Sequence, residues 1–212
     1  MSTSSPPTSR LPTEWFQRAD ESPDGRFYVA PRFVTHIDEA AVAAVTDLYR
    51  THVPEGGAVL DLMSSWVSHL PPEARYARVA GLGMNADELS ANPRLTEWMV
   101  QSLNAHPALP WADASFDAAL CCVSVQYLTR PVEVFAEVGR VLRPGAPFVL
   151  TFSNRCFPTK AVRAWRALDA AGHVALVRRY LAEAGRFDES EVSAHRPALG
   201  DPLFGVVARR AA

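Results

Sequence analysis

The chain has 212 residues, 48% of them hydrophobic and 21% charged, and 21 Lys+Arg stand against 23 Asp+Glu for a formal net charge of -2. That is one domain's worth of chain, long enough to bury a sizeable core. The near-balanced charge gives no electrostatic reason to expect nucleic acid or an acidic membrane surface as a partner, and no apolar run approaches the roughly 20 residues of a membrane span.

The first residues lack the basic-then-apolar pattern of a secretory signal, so a cytoplasmic protein is expected. Cys121, Cys122 and Cys156 are odd in number and show no C-x-x-C spacing. This argues against a disulfide framework and a structural zinc site, and fits a reducing compartment.

Residues 1–13 are polar and rich in proline and serine, which predicts a disordered tail. From Glu14 to Arg32 the aromatics Trp15, Phe16, Phe27 and Tyr28 flank the turn signal Ser22-Pro23-Asp24-Gly25. This reads as an irregular arm whose rings need a surface to pack on. Asp38 to Thr51 is apolar at Val42, Val45, Leu48 and Tyr49, the spacing of a helix, with Asp38 placed to cap it. Pro54 and Gly56-Gly57 end that helix.

Ala58-Val-Leu-Asp-Leu62 predicts a strand, Met63 to Ser65 a tight loop, and Trp66 to Leu70 the start of a helix. Arg78 to Leu82 predicts a second strand, Gly83-Met84-Asn85 its loop, and Ala86 to Ser90 a helical turn. Strands are also expected over Glu97–Leu103, Phe116–Val123 and Pro147–Phe152. A helix over Val132–Leu142 is stopped by Arg143-Pro144-Gly145. Thr159 to Ala184 carries helical periodicity with a break expected at Gly172, and Phe187–His195 and Leu203–Ala208 read as two antiparallel strands. Apolar strands alternating with helices predict an α/β fold. The expected sheet is Rossmann-like, mostly parallel and seven-stranded, with helices on both faces and a C-terminal antiparallel hairpin. Residues 14–212 would form a single domain: arm and helix over 14–54, core over 55–155, helices and edge hairpin over 156–212.

Three stretches in order resemble the class I S-adenosylmethionine-dependent methyltransferases, most closely the methyltransferase-11 type. They are Val59-Leu-Asp-Leu, Leu109-Pro-Trp-Ala-Asp-Ala-Ser-Phe-Asp117 and Glu137-Val-Gly-Arg-Val-Leu-Arg-Pro-Gly145. The resemblance covers about residues 55 to 155. It implies S-adenosylmethionine as cofactor, lying across the carboxyl ends of strands one to four. Two departures stand out. Met63, Ser65 and Val67 occupy the places of the family's three loop glycines, where a ligand approaches backbone. Gly83 stands where the family ends its second strand with an acid for the cofactor's ribose. Either the loop takes a different path, or the fold has lost its cofactor and serves another purpose.

Asp61 follows an apolar strand, where a carboxylate is costly unless hydrogen-bonded. The resemblance gives it the amino-acid end of the cofactor, and the alternative is a helix cap. Ser64 and Ser65 offer hydroxyls and amides at the expected helix start, suited to a carboxylate or to capping. Met63, Gly83, Met84 and Asn85 join the cofactor wall, with the Asn85 amide placed for a ribose hydroxyl; Asp87 and Glu88 would reach it only if the following helix is shifted. Leu103 and Asn104 would meet the adenine. Cys122 and Val123 end the fourth strand beside the expected sulfonium. Adjacent strand residues face opposite sides, so Cys121 and Cys122 cannot both point into the site. A thiol cluster for a metalloid such as arsenic is the sharper reading of the cysteines, and packing as small hydrophobes is the favoured one. No metal ligand set is expected.

His36 on the arm and Tyr127 after strand four are the candidate catalytic residues, and His69 is a second possible base. Tyr28 and Arg32 on the arm, with Asn154 and Arg155 after strand five, are the candidate acceptor contacts, Arg155 for an acidic group. The function expected is methyl transfer from S-adenosylmethionine to a small-molecule acceptor by direct displacement. The alternatives are a non-catalytic domain of the same fold and a methyltransferase acting on protein.

Overall fold

The computed structural model describes residues 10–212. The predicted tail over residues 1–9 lies outside the described residues. It does not extend to residue 13: Leu11 is buried in the core and Thr13–Phe16 forms a 3-10 turn.

Seven strands form one sheet: β1 Ala58–Ser64, β2 Arg78–Gly83, β3 Glu97–Val100, β4 Ala118–Cys122, β5 Pro147–Ser153, β6 Glu191–His195 and β7 Leu203–Arg209. Their spatial order is β3-β2-β1-β4-β5-β7-β6. Strands β1 to β5 pair in parallel, while β7 runs antiparallel to both β5 and β6. The predicted mixed α/β sheet is therefore present. Strand order reverses between β1 and β4, and in open α/β sheets ligands bind outside the carboxyl ends of the strands at that point.

The single turn α1 Asp24–Phe27 lies on the arm. Helix α2, Glu39–His52, is capped by Asp38, whose carboxylate accepts from the Ala41 amide at 2.9 Å. Its buried Ala41, Val45 and Tyr49 recur every four residues and meet Val59, Val79, Ala118, Leu120 and Val149 on one face of the sheet. The other face is covered by α4 Pro131–Val141 and α6 Ala170–Ala184, whose Phe135, Val138, Val177 and Tyr180 pack with Leu60, Leu62, Phe148 and Leu150. Proline at the first position of α4 lacks only an amide that would have had no helical partner. Among the described residues no helix is long and apolar enough to cross a membrane.

Four expectations need correction. No helix follows β1: residues 65–77 cross to β2 as an irregular loop. Leu70 precedes Pro71-Pro72, which push the preceding residues out of helical conformation, and His69 has φ 53. Side chains hold this loop instead. The Thr46 hydroxyl donates to the His69 carbonyl, the Asn92 amide to the Ser65 carbonyl, and Arg94 to the Ala74 carbonyl. Gly172 is not a break. Asp169 caps α6 by accepting from the Gly172 amide, and the interruption falls between α5 Arg163–Ala167 and α6. Strand β3 stops at Val100, short of Leu103. Strand β6 begins at Glu191, with Phe187 contributing only a lone bridge to Arg210.

Candidate functional site

A cavity of ≈ 580 Å³ opens at the strand-order reversal. Its floor is the end of β1 and β4, with Asp61, Met63, Ser64, Cys122 and Val123; one wall is Gly83, Met84, Leu103 and Asn104 after β2 and β3. The arm closes over it with Tyr28, Arg32 and His36, opposite Tyr127, Arg155, Cys156 and Phe157. Of the predicted site residues, all line the cavity except two. Asn85 caps α3 (Ala86–Ala91), and its amide donates to the Tyr28 and Val29 carbonyls. Asn154 is exposed beyond the rim.

Asp61 is 3% exposed. Its Oδ2 accepts from the Ser64 hydroxyl at 2.7 Å and the Ser68 hydroxyl at 2.5 Å. Burial raises its carboxyl to about 6, against the two hydroxyls that lower it. Among the described residues, Oδ1 takes no protein hydrogen bond. The two serines were expected at a helix start; with no helix there, Ser64 serves Asp61 and Ser65 donates to Glu88 at 2.6 Å.

The lost glycines leave a trace in the backbone. Met63 keeps a left-handed φ of 56, and β1 bulges there, so that Ser64 rather than Met63 pairs with Gly83. A Cβ on Gly83 would lie 2.2 Å from the Ser64 carbonyl oxygen. With the loop on this path, position 83 has no room for a side chain. Gly83→Ala is expected to cost about 1–3 kcal/mol by forcing the strands apart. Urea unfolding measures this, and a cost near zero would mean that β1 yields freely. His69 at φ 53 and Val123, β-branched at φ 41, are the other left-handed residues lining the cavity.

Asn104 lines the cavity, but its side chain is fully engaged. It donates to Asp24 at 2.8 Å and to the Tyr127 carbonyl at 3.0 Å, and accepts from the Thr129 amide at 2.8 Å. It fastens the arm to the loop after β4. Asp24 in turn accepts from Arg18 at 2.6 Å and lies 3.5 Å from Lys160. Lys160 is wholly buried, and its ammonium also meets Asp20 and the Ser22 carbonyl. This buried cluster locks the arm down. Sequence reading missed it because Arg18, Asp24, Asn104 and Lys160 are scattered along the chain.

The arm carries aromatic rings into the site. Phe157 sits 5.2 Å from Phe27, 5.2 Å from His36 and 5.7 Å from Tyr127, centroid to centroid. The Arg32 guanidinium lies 4.6 Å from the Phe27 ring centre. Burial lowers the pKa of His36, and likewise of His69, keeping both rings neutral near pH 7. Burial pushes the Tyr127 phenol up to about 12, and its oxygen accepts from the Phe157 amide at 2.9 Å. Arg155 is bound to Asp201 at 2.8 Å, whereas Arg32 makes no ion pair among the described residues. The thiols do not assemble. Cys121 faces the core, and burial raises all three pKa values, Cys122 to about 11, so none is a ready thiolate. No metal-binding group of three ligands occurs among the described residues.

Residues 64–150 match the family model described as "Methyltransferase domain". The chain is 32% identical over 108 residues to methyltransferase phqN of Penicillium fellutanum, a match covering 47% of this chain and 33% of that protein. It is 33% identical over 116 residues to the malonyl-[acyl-carrier protein] O-methyltransferase of Pseudescherichia vulneris, covering 52% and 45%. The chain thus spans less than half the length of these curated relatives. Among solved structures, the [4+2]-cyclase SpnF superimposes with a TM-score of 0.61 at 16% identity, covering 90% of this chain and 86% of that one. An S-adenosylmethionine-dependent methyltransferase from Mesorhizobium loti does so at 0.54 and 17%, covering 77% and 96%. Residues 64–150 thus match a methyltransferase domain, and the fold is similar to that of S-adenosylmethionine-dependent methyltransferases.

Proposed function

We propose that this protein transfers a methyl group from S-adenosylmethionine to a small-molecule acceptor. The observation that carries the reading is the cavity at the β1/β4 reversal, lined by Asp61 and by residues of the aromatic arm. The residues present fit the cofactor. A cavity of ≈ 580 Å³ lies within the usual size for ligand sites. Asp61 Oδ1 is an acceptor suited to the ammonium group. Leu82, Met84, Leu103 and Val123 give an apolar wall for the nucleobase. When bound, the cofactor supplies an already activated methyl group, so positioning and exclusion of water are the protein's main work.

The acceptor would lie between the arm and the loops after β4 and β5. Tyr28, Tyr127 and Phe157 present ring faces and edges to it. Arg32 is the cation left for an acidic group, because Arg155 is already neutralised by Asp201. His36 is the candidate base for an acceptor that must lose a proton, its neutral ring being the proton-accepting form. Tyr127 stays protonated at neutral pH and is suited to donating a hydrogen bond, not to acting as a base.

Titration with S-adenosylmethionine and S-adenosylhomocysteine by calorimetry tests the reading. Binding in the micromolar range is expected, followed by methyl transfer to members of a small-molecule panel detected by mass spectrometry. Absence of binding at millimolar ligand would sink it and leave a non-catalytic domain.

A further inference from the structure

We propose that Glu88 holds the ribose diol of the cofactor, replacing an acid at the end of β2. The inference rests on the cofactor reading above. Its starting point is that position 83 cannot carry any side chain. The bulge at Met63 sets the Ser64 carbonyl opposite Gly83, 2.2 Å from where a Cβ would be. The strand end that faces the cavity is therefore bare backbone.

A cavity carboxylate other than Asp61 comes from the element that follows this bare end. Glu88 lies in the first turn of α3, is 9% exposed, and lines the same cavity as Ser64, Ser65, Gly83 and Met84. Ser65, the neighbour of the obstructing Ser64, donates to Glu88 Oε2 at 2.6 Å. The Arg32 amide donates to Oε1 at 2.7 Å. The carboxylate is thus pinned by two donors, one from the altered loop and one from the arm.

Local helix chemistry does not account for this placement. Asn85-x-x-Glu88 has the spacing of a capping box, in which the glutamate reaches back to the amide of the capping residue. Here Glu88 reaches outward to the loop and the arm instead. Among the described residues it has no cation within ion-pair distance. A buried carboxylate without a cation is costly unless its acceptor capacity is used. A carboxylate offers about four acceptor sites over its two oxygens. Two are taken by Ser65 and Arg32, which leaves one on each oxygen. Two adjacent acceptors on one rigid group match two adjacent hydroxyl donors, and the cofactor's ribose is the part that presents them.

The test crosses a protein change with a ligand change. Binding of S-adenosylhomocysteine and of its 2′,3′-dideoxy analogue would be measured by calorimetry on the full chain. The wild type is expected to lose about tenfold or more in affinity for the dideoxy analogue, the scale of hydrogen bonds to a charged acceptor. Glu88→Ala should bind the parent ligand about as weakly as the wild type binds the analogue, and should no longer distinguish the two. Glu88→Gln, nearly the same in shape and retaining one oxygen, guards against a folding defect and should discriminate by an intermediate factor. Asp87→Asn, exposed and one residue away, should behave as wild type. If Glu88→Gln and Glu88→Ala still discriminate as strongly as the wild type, Glu88 is not the diol acceptor and the cofactor reading survives. If the wild type binds neither ligand, both fail together.

Discussion

Asp24→Ala is expected to destabilise the protein by about 3–5 kcal/mol, the usual cost of removing one partner from a buried ion pair. Asp24 sits between two cations, Arg18 at 2.6 Å and Lys160 at 3.5 Å, whose side chains are 7% and 0% exposed. Without the carboxylate, the two buried positive charges keep only solvent-accessible counter-charges, Asp20 for Lys160 and Glu21 for Arg18. The Asn104 amide also loses its tie to the arm. The damage should be greatest in the arm, because that is the segment the cluster fastens. Urea unfolding gives the total, and hydrogen exchange over residues 14–28 gives its location. A loss below about 1 kcal/mol with unchanged exchange would show that the cluster does not hold the arm.

Asp61→Asn should act in opposite directions on stability and on binding. Burial raises the Asp61 carboxyl from 3.8 to about 6 in the folded state. Below about pH 4 it is protonated whether the chain is folded or not, so it contributes no difference. Between about pH 4 and 6 the folded state keeps a proton that the unfolded chain releases, and stability falls as pH rises. Above about pH 6 the deficit is constant at roughly 3 kcal/mol, two pKa units at 1.36 kcal/mol each. The asparagine variant should lack this slope, matching the wild type near pH 4 and exceeding it at pH 7.5. It should also bind S-adenosylmethionine at least about tenfold more weakly, having lost a charged acceptor. Unfolding curves at pH 4 and 7.5 and calorimetry at pH 7.5 check both. Parallel stability profiles would mean that Asp61 is not desolvated, and unchanged affinity would mean that the cofactor end is misplaced.

The parts of the fold legible in the sequence are those whose signal is local. The apolar runs of β1, β4 and β5, the four-residue rhythm of α2 and the Pro-Gly stop after α4 each carry their own evidence. Asp61 was legible because a lone acid in an apolar strand needs a reason. Trp66 to Leu70 misled because its short apolar rhythm was read without the prolines that follow. Gly172 misled in the reverse way: Asp169, three residues before it, is the cap that makes it part of a helix. Glu88, expected to reach the ribose only if the following helix shifted, lines the cavity through contacts with Ser65 and the Arg32 amide that only folding brings together. Asn104, expected beside the adenine, lines the cavity, and its three partners Asp24, Tyr127 and Thr129 are ones that only folding brings together.

The irregular crossing from β1 to β2 has a consequence for how the gene can vary. A helix satisfies its own backbone, so most of its outward residues can change at little cost. Over residues 65–77 part of that work falls to Thr46, Asn92 and Arg94, which lie elsewhere in the chain. Asn92 also donates to the Ser68 hydroxyl that holds Asp61. Mutational tolerance is therefore displaced. Apart from cavity residues such as Ser65 and from Ser68, the crossing can drift in sequence, while three side chains from other elements, none of them lining the cavity, carry part of the intolerance.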